Sequence, residues 1–326
     1  MATKLLANTL TVSEMAKRRG ADGNVATIAE VLEELNEVLV DAPAKEANNI
    51  FAHMVNKRDR LPRPSTRMIN KGAIKTASSV RQEEEYLCLL EDWIEIDEEL
   101  IDHESDPKQA RVNEISAHLE GAMQELSRLM FYGNRASDPS EINGFNLRYN
   151  SLALPNVWNA GGSGSDTASI MMAEWDLVKG AYLIYPRGDK NIGIHEDDKG
   201  KIPTRDSLGN PFDAYTNKVK FHFGITVVDD KCIQRMVNIE SLGVTNNLID
   251  SMETIVDMKN RLPKRGKNAV CYVPRDLHSQ FEKWALNKSN LMLTMEQLKD
   301  GTPLVKVLGV PLRTVDELLT TEAALV

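Results

Sequence analysis

The sequence has few aromatics, few cysteines and no long apolar run. Phe, Trp and Tyr make up 6% of its 326 residues, and there are 3 cysteines. Cys88, Cys232 and Cys271 lie far apart and form no CxxC pair, which suits a reducing cytosol and ordinary buried thiols. No apolar stretch approaches the ~20 residues of a membrane span, so no membrane partner is expected. The opening residues, MATKLLANTLTVSEMAKRRGADG, lack a continuous apolar region and a cleavage site, so no signal peptide is expected. Walker A, dinucleotide-glycine and HExxH patterns are missing. Positive charge is also in deficit. The formal net charge is -9, which argues against generic phosphate neutralisation by the whole chain but leaves room for a local basic patch.

The composition that remains is globular. Apolar residues reach 42% and charged residues 27%, enough for a sizeable core in two domains or one large one. Thr11-x-x-Glu14 reads as a capping box, and Ile28, Val31, Leu32, Leu35, Val38 and Leu39 as a helix that stops before Pro43. Asp106 before Pro107 starts the clearest element. Ile115, Leu119, Ala122, Met123, Leu126 and Met130 then form one apolar stripe ending at Gly133. At 1.5 Å per residue this is a rod of roughly 37 Å. The middle reads as strands: SIMMAEW, GAYLIYPRG, and KVKFHFGITVV with Val219, Phe221, Phe223, Ile225 and Val227 on one face. The last ninety or so residues alternate. A helix capped by Thr245 carries Leu248, Met252, Ile255 and Val256. The strand AVCYV, a helix from Arg275 to Leu286 and the strand pair LVKVLGVPLRTV follow.

One charge pattern stands out. Asn56 to Arg81 holds eight Lys/Arg and one Asp, whereas Gln82 to Asp106 holds twelve Asp/Glu and no Lys or Arg. The basic half loses all periodicity between Asn56 and Val80, where Pro62, Pro64 and Gly72 interrupt it, as a functional arm would.

Catalytic patterns are weak. His195, Glu196 and Asp198 of the HEDD stretch are possible metal ligands or acid–base groups. The stretch lies between Gly193 and Gly200 beside lysines, which reads as a solvated turn between strands. Consecutive strand residues would in any case face opposite ways. Asp229-Asp230 and Arg187-Gly188-Asp189 read as turns, and GGSGS fails the nucleophile-elbow pattern at Ser165. His118 falls off the long helix's apolar stripe and reads as solvated, and the methionines read as core filling. No cofactor, metal or catalytic residue is expected.

Three stretches carry a resemblance: LMFYGNRASDPSEINGFNLRYN (Leu129 to Asn150), GSGSDTASIMMAEWDLVKGAYLIYPRGDKNIGIHEDDKG (Gly162 to Gly200) and YTNKVKFHFGITVVDDKCIQRMVNI (Tyr215 to Ile239). AVCYVPRDLHSQF and VLGVPLRTVDEL also fit. Together they resemble a podovirus-type family of tailed-bacteriophage major capsid proteins across nearly the whole chain. The family is richer in Gly and His after Trp175, where DLVKG stands here.

The resemblance implies the α+β capsid fold of tailed phages (Johnson, HK-type). It implies an N-terminal arm and helix over 1–50, an extended loop over 51–90, a peripheral domain over 91–239 with a spine helix at 107–131, and an axial domain over 240–326. Its segment order implies a permuted connectivity, with the axial domain closing the chain. It implies a chain that assembles through pentamers and hexamers into an icosahedral shell around phage DNA, formed in the host cytoplasm. The expected partners are copies of itself, a scaffold protein, the portal, a cement or decoration protein and double-stranded DNA held non-specifically. Lys17, Arg18 and Arg19 could face DNA or scaffold, or could simply stabilise a helix end.

In a ring of head-to-tail subunits the charge reversal reads as an interface. Lys57, Arg58, Arg60, Arg63 and Arg67 of one copy would meet Glu83, Glu84, Glu85, Glu91 and Asp92 of the next. Pairing of the same charges within one subunit competes with that reading. A cellular nanocompartment shell of the same fold, and a metal enzyme using HEDD, are the alternatives.

Overall fold

The computed structural model describes residues 37–102, 107–205, 208–240, 252–285, 293–297 and 303–326. The capping box at Thr11, most of the helix from Ile28, the basic triplet at 17–19 and Thr245 lie outside these residues.

A short helix α1 (Glu37–Asp41) ends ahead of Pro43, and strand β1 (Ala44–Glu46) follows. Strands β2 (Ala52–Arg60) and β3 (Ser79–Tyr86) form a separate two-stranded hairpin. Strand β4 (Cys88–Asp97), helix α2 (Glu98–Asp102) and the long helix α3 (Pro107–Tyr132) come next. The rod is thus 26 residues, as the apolar stripe predicts: Leu119, Met123, Leu126 and Met130 are buried.

Two sheets flank this helix. In the first, β7 (Ala181–Tyr185), β8 (Ile194–Arg205) and β4 all pair with the 17-residue β9 (Pro211–Val227), and β1 adds to β7. The odd residues of β9 that the sequence places on one face, Val219 to Val227, are all buried. β7 and β8 share one edge of β9 in succession, and Gly193 marks the handover. Its φ is +79°, and a Cβ there would lie 2.1 Å from the His222 carbonyl oxygen, so no other residue fits without backbone movement.

The second sheet has seven strands in the order β12-β13-β14-β11-β6-β10-β5. Here β5 is Val157–Asn159, β6 Thr167–Glu174, β10 Ile233–Glu240, β11 Ala269–Val273, β12 Leu293–Gln297, β13 Pro303–Val307 and β14 Val310–Thr314. β6 is buried along its whole length, and its period of two feeds two cores. Met171 and Ala173 join the core shared with α3 and the first sheet, together with Val270 and Tyr272. Ala168, Ile170 and Met172 join the core under helices α5 (Met252–Arg261) and α6 (Arg275–Ala285), together with Cys271 and Val273. The expected domain cut at residue 240 runs through this sheet. The reason is strand pairing: β6 bonds antiparallel to both β10 and β11, which lie on opposite sides of the cut.

The stretch Leu129 to Asn150 now has a physical role. The chain leaves α3, loops, and closes on itself with Gly144 N–H donating to Gly133 O at 2.8 Å. A Cβ on Gly144 would sit 2.7 Å from Phe131 O, so the closure requires glycine. Glu141 accepts from Arg128 at 2.6 Å and from Asn134 N–H at 2.7 Å inside the loop. Helix α4 (Phe145–Arg148) then delivers Phe145 into an edge-to-face cluster with Phe131, Trp175 and Tyr272.

The C-terminal segment straps the body together. Glu322 exchanges backbone hydrogen bonds with Thr167 at 2.8 and 3.2 Å. Its carboxylate accepts from Tyr132 (2.6 Å), Asn146 (3.1 Å), Ser169 (3.1 Å) and Arg235 (3.0 Å). One acid therefore joins α3, α4, β6 and β10. All three cysteines are buried and free, and desolvation pushes the Cys88 and Cys271 thiols up to about 12, which leaves them unreactive.

Candidate functional site

Within the extended segment 51–90, β2 and β3 form a hairpin whose tip, 61–78, holds no strand, and Cys88–Leu90 already belong to β4. β2 and β3 pair antiparallel, with His53 opposite Glu85, Val55 opposite Glu83 and Lys57 opposite Arg81. The sequence hides the period because two of the three buried residues on the inner face of β2, His53 and Lys57, are polar. The missed strand β4 has the same cause: its inward set, Cys88, Leu90, Asp92, Ile94 and Ile96, includes an acid.

The hairpin root is clamped to the body through charge. Lys57 Nζ reaches Glu83 at 2.7 Å and Asp230 at 2.9 Å. Burial pulls the Lys57 ammonium down, but the hydrogen bonds to these two acids outweigh it and raise its pKa. Glu85 is met by Arg148 of α4 through two parallel bonds of 2.6 Å, and both side chains are largely buried. Beyond Lys57 the character changes. Every residue from Arg58 to Gln82 is exposed.

Among the described residues of and around this distal limb, Arg60 reaches the Ala77 carbonyl (3.5 Å) and Arg67 the Lys71 carbonyl (3.0 Å), and neither reaches an acid. Arg58 and Arg63 meet no acid among the described residues. A space of ≈ 700 Å³ lies between the two sides of the limb, with Arg60, Arg63 and Lys75 on its walls. Leu61, Met68, Ile69 and Ile74 are exposed on the same limb. The limb thus presents unneutralised cations and uncovered apolar side chains together, as an interface does.

An acidic groove of ≈ 440 Å³ opens elsewhere on the body, between β4 and α3. Glu91, Asp92, Glu114, His118 and Glu125 line it. Glu91 also binds Lys218 (2.5 Å) and Glu125 binds Arg128 (2.7 Å). Asp92 and Glu114 face His118 at 2.7 and 3.7 Å. His118 is therefore not simply solvated. It lies off the helix's apolar stripe because that face of α3 borders the acids of β4.

The ten residues marked by the charge reversal separate into two groups. Lys57, Glu83, Glu85, Glu91 and Asp92 have partners within the subunit, and Glu84 accepts from the Tyr86 hydroxyl at 2.7 Å. Arg58, Arg60, Arg63 and Arg67 have no acid partner among the described residues. Sequence reasoning could not find Arg148 or Asp230, which lie 63 and 173 residues from the side chains they hold.

HEDD is not a turn. It lies within β8, paired with Lys220, Val219, Lys218 and Asn217 of β9. The glycines and charges that suggested a turn are those of an edge strand with a bulge between Asp198 and Gly200. The alternation argument still applies. His195 bonds Asp189 at 2.7 Å, whereas Asp198 bonds Arg111 at 2.9 Å. Burial first, then Asp198, raises the Glu196 pKa. Among the described residues no group of three His, Cys, Asp or Glu could hold a metal ion.

A long helix laid on one sheet, a second sheet behind it and a projecting hairpin are the parts of a shell subunit with the tailed-phage capsid fold. The structure is similar to the bacteriophage Epsilon15 protein, with a TM-score of 0.61, 25% identity and coverage of 89% of each chain. The JBD30 bacteriophage capsid aligns at 10% identity and TM-score 0.45, covering 85% of this chain and 88% of the other. The SrpI encapsulin of Synechococcus elongatus PCC 7942 aligns at 8% identity and TM-score 0.44, covering 66% and 91%. A comparison with curated proteins found no match. The family model of the major capsid protein GP7 matches residues 20–326, and the chain belongs to that family. It is a major capsid protein, a structural subunit of the virion shell.

Proposed function

We propose that the distal limb of the hairpin is the arm by which one subunit holds the next in an icosahedral shell of pentamers and hexamers. The observation that carries this reading is the contrast in pairing. Among the described residues Arg58, Arg60, Arg63 and Arg67 have no acid partner, and Asp92 and Glu114 in the groove beside α3 have no basic partner except His118. The limb of one copy seats against that groove on its neighbour. Many such weak contacts add up through multivalency, and their charge fixes register more than affinity. Glu83 and Glu85 act as anchors of the limb within their own subunit.

The remaining assignments follow the same reading. The peripheral domain is 91–239, built on α3 and the first sheet, and the axial domain is 240–326, whose strands β11 to β14 complete the seven-stranded sheet. Assembly takes place in the bacterial cytoplasm with a scaffold protein and a portal, and a cement or decoration protein binds the outside. The packaged double-stranded DNA is held non-specifically. The chain performs no catalysis of its own. Expression alone or with its neighbouring genes, followed by negative-stain microscopy, tests the reading. Uniform closed shells containing nucleic acid are expected. Shells filled with a cargo enzyme would turn the reading toward a nanocompartment. A monomer that persists at high concentration and low salt, with the neighbouring gene products present, would overturn it.

A further inference from the structure

The hairpin root holds one buried imidazole, and its hydrogen bonds fix its protonation state. His53 is 6% exposed. Its Nδ1 accepts the backbone N–H of Asn48 at 3.2 Å, and its Nε2 lies 3.0 Å from the Tyr182 hydroxyl. Only a bare ring nitrogen accepts an N–H, so the ring proton sits on Nε2 and is donated to the Tyr182 oxygen. The Asn48 side chain in turn bonds both backbone groups of Met54 at 2.8 Å. A single neutral ring thus sits between β7 of the body and the bend from which β2 starts.

We propose that His53 is an acid-sensitive pin, which holds the hairpin root on the body when neutral and releases it when protonated. A proton on Nδ1 sets two N–H groups against each other, and Asn48 loses its acceptor. Among the described residues no acid is hydrogen-bonded to the ring to receive the new charge. Lys45 of β1 stands over the Tyr182 ring at 5.4 Å, and Arg187 donates to the Asn48 carbonyl at 3.4 Å. The carboxylate opposite on β3, Glu85, is already taken by Arg148. Burial first, and Lys45 second, lower the His53 pKa from its ordinary 6.5. The sign follows. The clamped root favours the neutral ring, so its stability is full above about pH 6.5 and declines as pH falls toward the lowered value. Of the other anchors, Lys57 and Arg148 keep their charges across this window, because burial lowers the pKa of each but the hydrogen bonds to their acids outweigh it and raise it.

For its consequence, release of the limb, the proposal rests on the limb being an interface; its chemistry stands on the subunit alone. The test is hydrogen exchange on the unassembled full chain, corrected for intrinsic rates, from about pH 7.5 to about pH 5.5. Exchange at residues 52–57 should rise by up to about tenfold per pH unit below about pH 6.5, because one proton is linked to opening. Exchange in β6 should not change. His53→Gln should remove the pH dependence, and His222→Gln, which alters a half-buried imidazole whose pKa is likewise lowered by burial, should retain it. In the wild-type chain the titration of the His53 ring, followed by NMR, should coincide with root opening, which keeps the test decisive even if His53→Gln does not fold. Flat exchange, an unchanged slope in His53→Gln or a ring titration displaced from the opening would each overturn the pin. None of these outcomes depends on whether shells form, so failure of the interface reading would be seen separately.

Discussion

At the hairpin root Lys57 and Glu85 are buried, and each meets an opposite charge at 2.6–2.9 Å. One residue further out begins a run of exposed cations, of which Arg58, Arg60, Arg63 and Arg67 have no acid partner among the described residues while Arg81 pairs with Glu83 at 2.5 Å. Arg58 and Arg60 continue the strand that carries Lys57, Arg63 and Arg67 lie past its end, and root and limb differ in what they touch. A buried pair is a fixed joint, because removing either member leaves a charge without water or partner. An exposed cation costs its own subunit almost nothing and stays available to another. The clamped root therefore sets where the limb points, and the limb carries the contact.

The comparison is sharpened most by striking a joint. Glu322→Ala leaves Arg235 buried and strips an acceptor from Tyr132, Asn146 and Ser169, so it should cost about 3–5 kcal/mol in chemical denaturation. Glu85→Ala strands Arg148 in the same way and should cost about 3 kcal/mol, with hydrogen exchange rising first in residues 52–57 and 83–86. The smallest effect is expected where a buried acid makes no ion pair among the described residues. Glu174 is fully buried, accepts one hydrogen bond from Lys264 N–H at 3.0 Å, and leaves its second oxygen unpartnered. Burial raises its pKa above the ordinary 4.5, so the acid loses stability as pH rises from there through the raised value. Glu174→Gln should therefore be more stable than the parent at neutral pH, by about 1 kcal/mol or less, and the gap should close in acid. A Gln variant less stable than the parent at neutral pH would refute this account of Glu174.

How much of this could be read from the sequence depended on whether burial followed hydrophobicity. The helix α3 was legible because Asp106-Pro107 opens it and its buried stripe is apolar. β9 was legible for the same reason, with five apolar residues at a period of two. β2, β4 and β8 were not, because their inward positions include Lys57, Asp92 and Glu196, which are kept there by partners distant in the chain. The charge reversal was legible as composition. Its division into joints and free cations was not, because that depends on register and on Arg148 and Asp230.

The central claim is that the limb's unpaired cations hold neighbouring subunits together. Arg58→Glu, Arg60→Glu and Arg63→Glu combined test it most directly, by negative-stain microscopy and sizing beside the wild-type chain. The account predicts closed shells from the wild type and folded, unassembled subunits from the triple variant, with unfolding stability changed by no more than about 0.5 kcal/mol. Normal shells from the triple variant would contradict it.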